Sequence, residues 1–341
     1  MRPLVLALLV LALPVQAQTA EVRVLMAGET KDDLAEVLAL AKRAEHRLWV
    51  FAYTLSDATL IEILAEKAAQ PGFDLRVLID RKQHTKNKGQ LKAISAAVTP
   101  VVVPDSGRMH SKLMLIDTHT VLMGSKNWSD LPNVLKWNDV VVLRAGKRLV
   151  AQVEGTFQRV GGFKSKPLPK TKATKLPDAE RAKVELHFSA PGNPGARTRA
   201  ALLALIKRAK LRIHLGMFIL SDPELVKAIW LKRERVEIRI VVDAIQHANL
   251  GKRVDAAGKG LQRQLKDLGP AIRMSGDKQV HHKLALLDDV VVVGLGIWLV
   301  IRMIPPVVMA EHRASAEKRR DEIRFAGRIG AAIIVAQWIA L

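Results

Sequence analysis

No cysteine occurs anywhere in the 341 residues. Disulfides and thiolate zinc sites are therefore excluded outright. Aromatic residues are scarce, at 4% with a single tyrosine, which argues against extensive base stacking on a nucleic-acid strand. Long apolar runs are missing too. The first such run covers 4–15 and the last 329–341, both short of the roughly 20 residues a membrane-spanning helix needs. Acids are outnumbered, 33 against 54 basic residues, for a net charge of +21. A surplus that large points to a polyanionic partner, either nucleic acid or an anionic membrane surface.

What is present is enough for a folded protein. Hydrophobic residues make up 49% and charged ones 26%, a balance that buries a core and is not that of a disordered chain. The length allows one large or two ordinary domains. At the N-terminus, Arg2 precedes the first apolar run, and Val15-Gln16-Ala17 puts compact residues where a signal peptidase reads. This pattern predicts a signal peptide over 1–17, cleavage after Ala17, and a periplasmic or secreted mature chain.

The chain contains an internal duplication. "AKRAEHRLWVFAYTLSDATLIEIL" matches "IKRAKLRIHLGMFILSDPELVKAI" at an offset of 165, and "LRVLIDRKQH" matches "IRIVVDAIQH", setting Asp80 against Asp243 and His84 against His247. Each half alternates helical and strand-like stretches. Apolar spacing predicts helices over 32–44 and 58–69, the latter capped by Ser56 or Asp57. Strands are expected over 47–53, and buried ones over 75–79 and 99–103. The fold class is therefore α/β, a duplicated α/β/α sandwich. Its parts are an N-terminal domain over 18–160, a solvated Pro- and Lys-rich linker over 161–183, and a C-terminal domain over 184–341 with an atypical end after 294.

One spacing recurs in both halves. "MHSKLMLIDTHTVLMGSKNW" carries His110, Lys112 and Asp117, then Ser125 and Asn127; "VHHKLALLDD" carries His281, Lys283 and Asp288. On a strand, residues two apart share a face, so each His and Lys point the same way. Lysine supplies fixed positive charge, and imidazole serves as nucleophile when neutral and acid when protonated, a combination suited to phosphate. At background frequencies a given His is followed by this Lys and Asp about once in 250 cases, so two copies are not an accident of composition. His84 and His247 read as inherited structural residues, and His282, on the opposite face from His281, as incidental.

H-x-K-x(4)-D followed by G-S-x-N resembles the signature of the phospholipase D superfamily, and Asn138-Asp139 looks like the Asn-acid pair that often follows it. In arrangement the resemblance covers 22–294. It implies one site at a pseudo-twofold interface within a monomer, with no cofactor and no metal. One His attacks phosphorus to form a phosphohistidine, and the other protonates the leaving oxygen. By that likeness His110 is the nucleophile and His281 the general acid, with the reverse left open. Lys112, Lys283, Ser125 and Asn127 hold phosphoryl oxygens, and Asp117 and Asp288 orient the imidazoles. The implied substrates are phospholipid or nucleic acid phosphodiesters. Hydrolysis of phospholipid head groups is the preferred reading. A metal-independent endonuclease and a weakly active polyanion binder are the alternatives. The second motif departs from the pattern: aligned on Trp128 and Trp298, "GSKNW" becomes "GLGIW", so Leu295 and Ile297 replace the Ser and Asn. The expectation is weak activity, from a diverged or frame-shifted end after Gly294.

Overall fold

The computed structural model describes residues 18–27, 34–102, 109–129, 136–164, 167–169, 176, 179–188, 196–250, 256–276, 279–294 and 297–303. The expected signal segment 1–17 and the tail beyond 303 lie outside them. The first half comprises β1 (Gln18–Ala27), α1 (Ala35–Lys42), β2 (Arg47–Ala52), α2 (Ala58–Ala68), β3 (Asp74–Asp80), α3 (Arg81–Asn87), β4 (Val98–Val101), β5 (Leu113–Ile116), β6 (Thr120–Gly124), β7 (Lys136–Arg144) and α4 (Lys147–Gly161). The second comprises β8 (Glu180–Phe188), α5 (Ala196–Arg208), β9 (Arg212–Met217), α6 (Pro223–Trp230), β10 (Glu237–Val242), α7 (Ala244–Leu250), α8 (Ala256–Asp267), β11 (Ile272–Met274), β12 (Gln279–Val280), β13 (Lys283–Leu287), β14 (Val290–Gly294) and β15 (Ile297–Met303).

The duplication is legible in the sheet. The strand order is β11-β10-β9-β13-β14-β15-β8-β1-β7-β6-β5-β2-β3-β4. It reads the same from either end once each strand is matched to its copy. The centre of symmetry lies between β1 and β8, which pair antiparallel. The two halves therefore share one sheet. Their caps repeat as well. Asp57 accepts from Leu60 N at 2.8 Å to start α2, and Asp222 accepts from Glu224 N at 2.9 Å to start α6, where Pro223 occupies the first turn. Each closes part of the unpaired N–H set of a helix start.

Helices cover the outer face of each half-sheet. Leu34, Val37, Leu60 and Leu64 bury one face of β5 to β7 in the first half, and Leu202, Leu225, Leu261 and Leu265 do the same in the second. A third core joins the halves: Trp49, Phe51 and Phe157 lie in one cluster with Leu284, Leu286, Val291 and Val293. Trp49 meets the Phe157 ring at 5.5 Å and the Phe163 ring at 5.0 Å. Full burial of each such side chain contributes about 1.5–3 kcal/mol. Because both faces are covered, all four residues of β5 are buried, rather than alternating in and out.

Two expectations change. The strand expected to be buried over 99–103 is β4, the outermost strand of its half, with Thr99 and Pro100 exposed. An edge suits Pro100, which has no N–H to give to a neighbour. The linker drawn to 183 ends sooner, because β8 begins at Glu180 and Lys183 pairs with Thr19. It is also anchored: Phe163 packs on the joining core and Leu176 is buried. Charge density hid these two apolar anchors in the sequence.

Candidate active site

The two motifs meet. His110 and Lys112 lie in the extended segment leading into β5, one step before the strand they were expected to occupy, while Lys283 opens β13. The His110 and His281 ring centroids are 6.3 Å apart. Main-chain bonds carry the second motif across to the first half: β12 pairs parallel with Lys136 and Trp137 of β7, and His281 N donates to Trp137 O at 3.1 Å.

The surroundings are duplicated. Lys112 Nζ donates to His110 O at 2.7 Å, and Lys283 Nζ to His281 O at 2.8 Å. Lys112 sits 5.0 Å over the Tyr53 ring and Lys283 4.9 Å over Phe218. The same rings flank the imidazoles, at 4.4 Å for Tyr53–His110 and 5.5 Å for Phe218–His281. Tyr53 and Phe218 are one repeat apart, so the 165-residue offset was the signal that could have found them; each aromatic orients the cation and imidazole of its own half.

Buried positive charge dominates. Burial, then Lys283, holds the Lys112 ammonium well below the ordinary lysine range. Burial brings Lys283 down to about 8, partly offset by Asp139. His281 falls to about 2 through burial, then Lys283, Lys112, His110 and Lys136. Its Nδ1 lies 3.1 Å from Ser125 O and 2.9 Å from Asn138 Oδ1. A backbone carbonyl only accepts, so Nδ1 carries the hydrogen and Nε2 the lone pair. The arrangement is a neutral imidazole with a bare Nε2 beside a cluster of cations that an oxyanion would satisfy. Among the described residues no group of three or more His, Asp or Glu is placed to hold a metal ion.

Three site assignments are corrected by these contacts. Asp117 and Asp288 do not orient the imidazoles. Each sits at the far end of its strand with positive φ, 50° and 54°. Asp117 accepts from the N–H groups of Glu45, His46 and Arg47, and Asp288 from those of Lys210, Leu211 and Arg212. They staple the turn of each hairpin to the start of β2 or β9. Aspartate suits the role because it tolerates the left-handed turn and accepts several N–H groups at once. Ser125 is fully buried, and its hydroxyl donates to Asp139 Oδ1 at 2.9 Å while accepting from Asp139 N at 2.8 Å. It faces the strand, not a phosphoryl oxygen. Asn127 keeps a buried amide oxygen with no hydrogen bond among the described residues.

Two residues were underrated. Asn138 meets His281, and His282, fully buried, places Nδ1 2.7 Å from Asp139 Oδ1. His282 is not incidental; its partner lies 143 residues away, beyond any local pattern. His84 and His247 lie on α3 and α7; burial lowers the pKa of His247.

The alignment of the second motif also changes. Gly124 pairs with Val140, whereas Gly294 pairs with Trp298. The ladder thus matches Trp298 to Val140, not to Trp128, and Ile297 to Asp139. Everything between Gly124 and Asp139 is reduced to Leu295-Gly296 in the second half. Substitution at two positions cannot account for a hairpin connection shortened by so many residues.

A duplicated α/β sandwich with paired His-Lys motifs at its pseudo-twofold defines a phosphodiester-processing class. The profile described as "Cardiolipin synthase, PLD-like domain" matches residues 37–160 and 202–296, and the chain belongs to the phospholipase D superfamily. That superfamily takes in phosphodiesterases, nucleases and phosphatidylserine and cardiolipin synthases. Among solved structures, the chain is similar to phosphatidylserine synthase from Haemophilus influenzae Rd KW20, with 15% identity, a TM-score of 0.56, and 90% of this chain and 88% of that one covered. It is also similar to polyphosphate kinase from Porphyromonas gingivalis, with 13% identity, a TM-score of 0.54, and coverage of 94% and 55%. A phospholipase D family member from Salmonella typhimurium matches at 19% identity and a TM-score of 0.37, over 42% of this chain and 94% of that one. No curated protein matches the chain.

Proposed function

We propose that the protein cleaves phosphodiesters through a phosphohistidine on His281, acting as a phospholipase D-type hydrolase of phospholipid head groups. One observation carries this: two imidazoles 6.3 Å apart, each with a lysine bonded to its own carbonyl, inside a buried cationic site. The Nε2 lone pair of His281 attacks phosphorus. The bond to the leaving oxygen breaks as His110, entering as imidazolium, gives that oxygen a proton. His110, now neutral, takes a proton from water; the hydroxide attacks phosphorus, the P–N bond breaks, and His281 recovers its lone pair. Lys112 and Lys283 stabilise the charge that grows on the equatorial oxygens. This reverses the assignment expected from the likeness alone, because Ser125 O and Asn138 hold His281 in the nucleophilic tautomer.

The lipid reading draws on the matched profile and on the phosphatidylserine synthase likeness. The net charge of +21 favours a second reading, a nuclease that contacts backbone phosphate. Both motifs lie in one chain, which supports a monomer. The N-terminal pattern supports export, with a mature chain beginning at Gln18, to be checked by N-terminal sequencing of secreted protein.

The test is an assay of purified protein on labelled phospholipid vesicles and on plasmid DNA. Release of choline or ethanolamine supports the lipid reading; plasmid nicking without head-group release replaces it with the nuclease. With His110→Ala and an activated phosphodiester, stopped-reaction mass spectrometry should place phosphate on His281. Phosphate on neither histidine would sink the mechanism.

A further inference from the structure

We propose that His282 is a positioning residue that, through Asp139, holds the two acceptors fixing the tautomer of His281. The proposal rests on the phosphodiesterase reading for its kinetic arm only.

The argument is one of connectivity. Both acceptors facing His281 Nδ1, Ser125 O and Asn138 Oδ1, come from the first half. Apart from His281 itself, no described residue of the second half hydrogen-bonds either of them. Asp139 ties them together. Its main chain adjoins Asn138, its N–H donates to Ser125 Oγ at 2.8 Å, and its Oδ1 accepts from that hydroxyl at 2.9 Å. Its main-chain oxygen also accepts from Ser125 N at 2.9 Å. Gly124 lets this happen: a Cβ there would lie 2.1 Å from Asp139 O. The remaining acceptor capacity of Oδ1 goes to His282 Nδ1 at 2.7 Å, the one side-chain bond among the described residues that reaches Asp139 from the second half. Asp139 and His282 are both fully buried. The neighbouring main chain is braced too, since Phe218 N donates to His282 O at 2.9 Å and Phe218 flanks His281.

The consequence is an offset pairing. The carboxylate that could have met the nucleophile sits on the next histidine instead, and the nucleophile receives an amide and a carbonyl. An amide keeps the imidazole oriented without pulling it toward imidazolium, so Nε2 stays bare for attack. Asp139 Oδ2 already lacks a hydrogen bond among the described residues; without the His282 bond Oδ1 keeps only the Ser125 hydroxyl, and a buried carboxylate so short of donors takes whatever donor is near. His281 and Lys283 are the near ones.

A merely structural bond between halves predicts a different result. It predicts lower stability in a variant, with the folded fraction behaving as the parent. The experiment uses the full chain with 15N-labelled histidine. In the parent, His281 should be in the Nδ1–H form, with the Nε2 resonance of a bare nitrogen. In His282→Ala the two tautomers should mix, and kcat should fall about tenfold to hundredfold with KM changed less than about twofold, the scale at which outer partners orient an imidazole. His282→Asn, whose amide N–H reproduces the Nδ1 donor, should restore the parent tautomer and most of kcat. If His282→Ala fails to fold, the parent and His282→Asn spectra still decide. An Nε2–H tautomer in the parent overturns the proposal. So does a folded His282→Ala variant whose His281 resonances and pH profile match the parent. Because the spectra require no turnover, an inactive protein with the expected tautomers would sink the phosphodiesterase reading and leave this inference standing.

Discussion

Replacing Asp117 separates the two roles that an acid recurring in both motifs can have, and the contacts set the size of the effect. The carboxylate accepts from three main-chain N–H groups, those of Glu45, His46 and Arg47, at 2.9–3.2 Å. Hydrogen bonds to a charged acceptor contribute about 1.5 kcal/mol or more each, and water entering the half-exposed turn restores part of that. Asp117→Ala should therefore lose about 3 kcal/mol, near 1 for each orphaned N–H. For a chain of this size that lowers Tm by about 4 °C. Asp117→Asn keeps one acceptor and tolerates the positive φ, so it should lose about half as much. At five residues along the strand, the carboxylate lies about 16 Å from Lys112, too far to touch an imidazole. At 15 °C, where the folded form persists, kcat of both variants should stay within about threefold of the parent, the span of small indirect shifts. Denaturation followed by circular dichroism and a turnover assay on the same samples check this. A loss beyond tenfold in kcat with Tm unchanged would refute the stapling role and return Asp117 to the catalytic machinery.

Gly124→Ala should prevent the Ser125–Asp139 clasp from closing, because its Cβ would sit 2.1 Å from Asp139 O and 2.9 Å from Val140 Cα; backbone must shift, so a loss above about 3 kcal/mol is expected in urea unfolding. Lys283 titrates near 8 when folded and near its ordinary 10.5 when unfolded. The unfolded chain thus binds more protons between those values, and stability should rise with pH across that window; Lys283→Met should flatten the rise in a Tm-against-pH series. Asp288 acts in the same direction, but at acid pH. Burial raises its pKa, but the N–H groups of Arg212, Lys210 and Leu211 and the Arg212 charge outweigh burial and leave it below 3.8. Its contribution is present above the unfolded value and lost as pH falls through the folded one, so acid unfolding of Asp288→Asn should be less steep. Leu295→Ser with Ile297→Asn should leave turnover unchanged, since the ladder sets Ile297 opposite the Asp139 position and not that of Asn127; a rise in turnover would restore the alignment on the tryptophans.

Much of this molecule was written locally, and that is why the sequence alone determined it. Helix caps such as Asp57 and Asp222 act within four residues. Each motif sets its His and Lys two residues apart, and the duplication survives as matched words 165 residues apart. From these came the fold class and the expectation that His110, Lys112, His281 and Lys283 meet, which the structure brings together. What tertiary structure decided are contacts whose partners are distant in the chain and whose chemistry is ambiguous. An aspartate after a strand can orient an imidazole or staple a turn, and only the positions of the N–H groups of 45–47 choose between them. A second histidine beside the first looks incidental until Asp139 is found 2.7 Å away. A tryptophan shared by two motifs suggests an alignment, yet hydrogen-bond register, which depends on the length of the connection between strands, matches Trp298 to Val140 instead. Spacing along a chain records which side chains can face the same way; it holds no record of what folds against them from the other half.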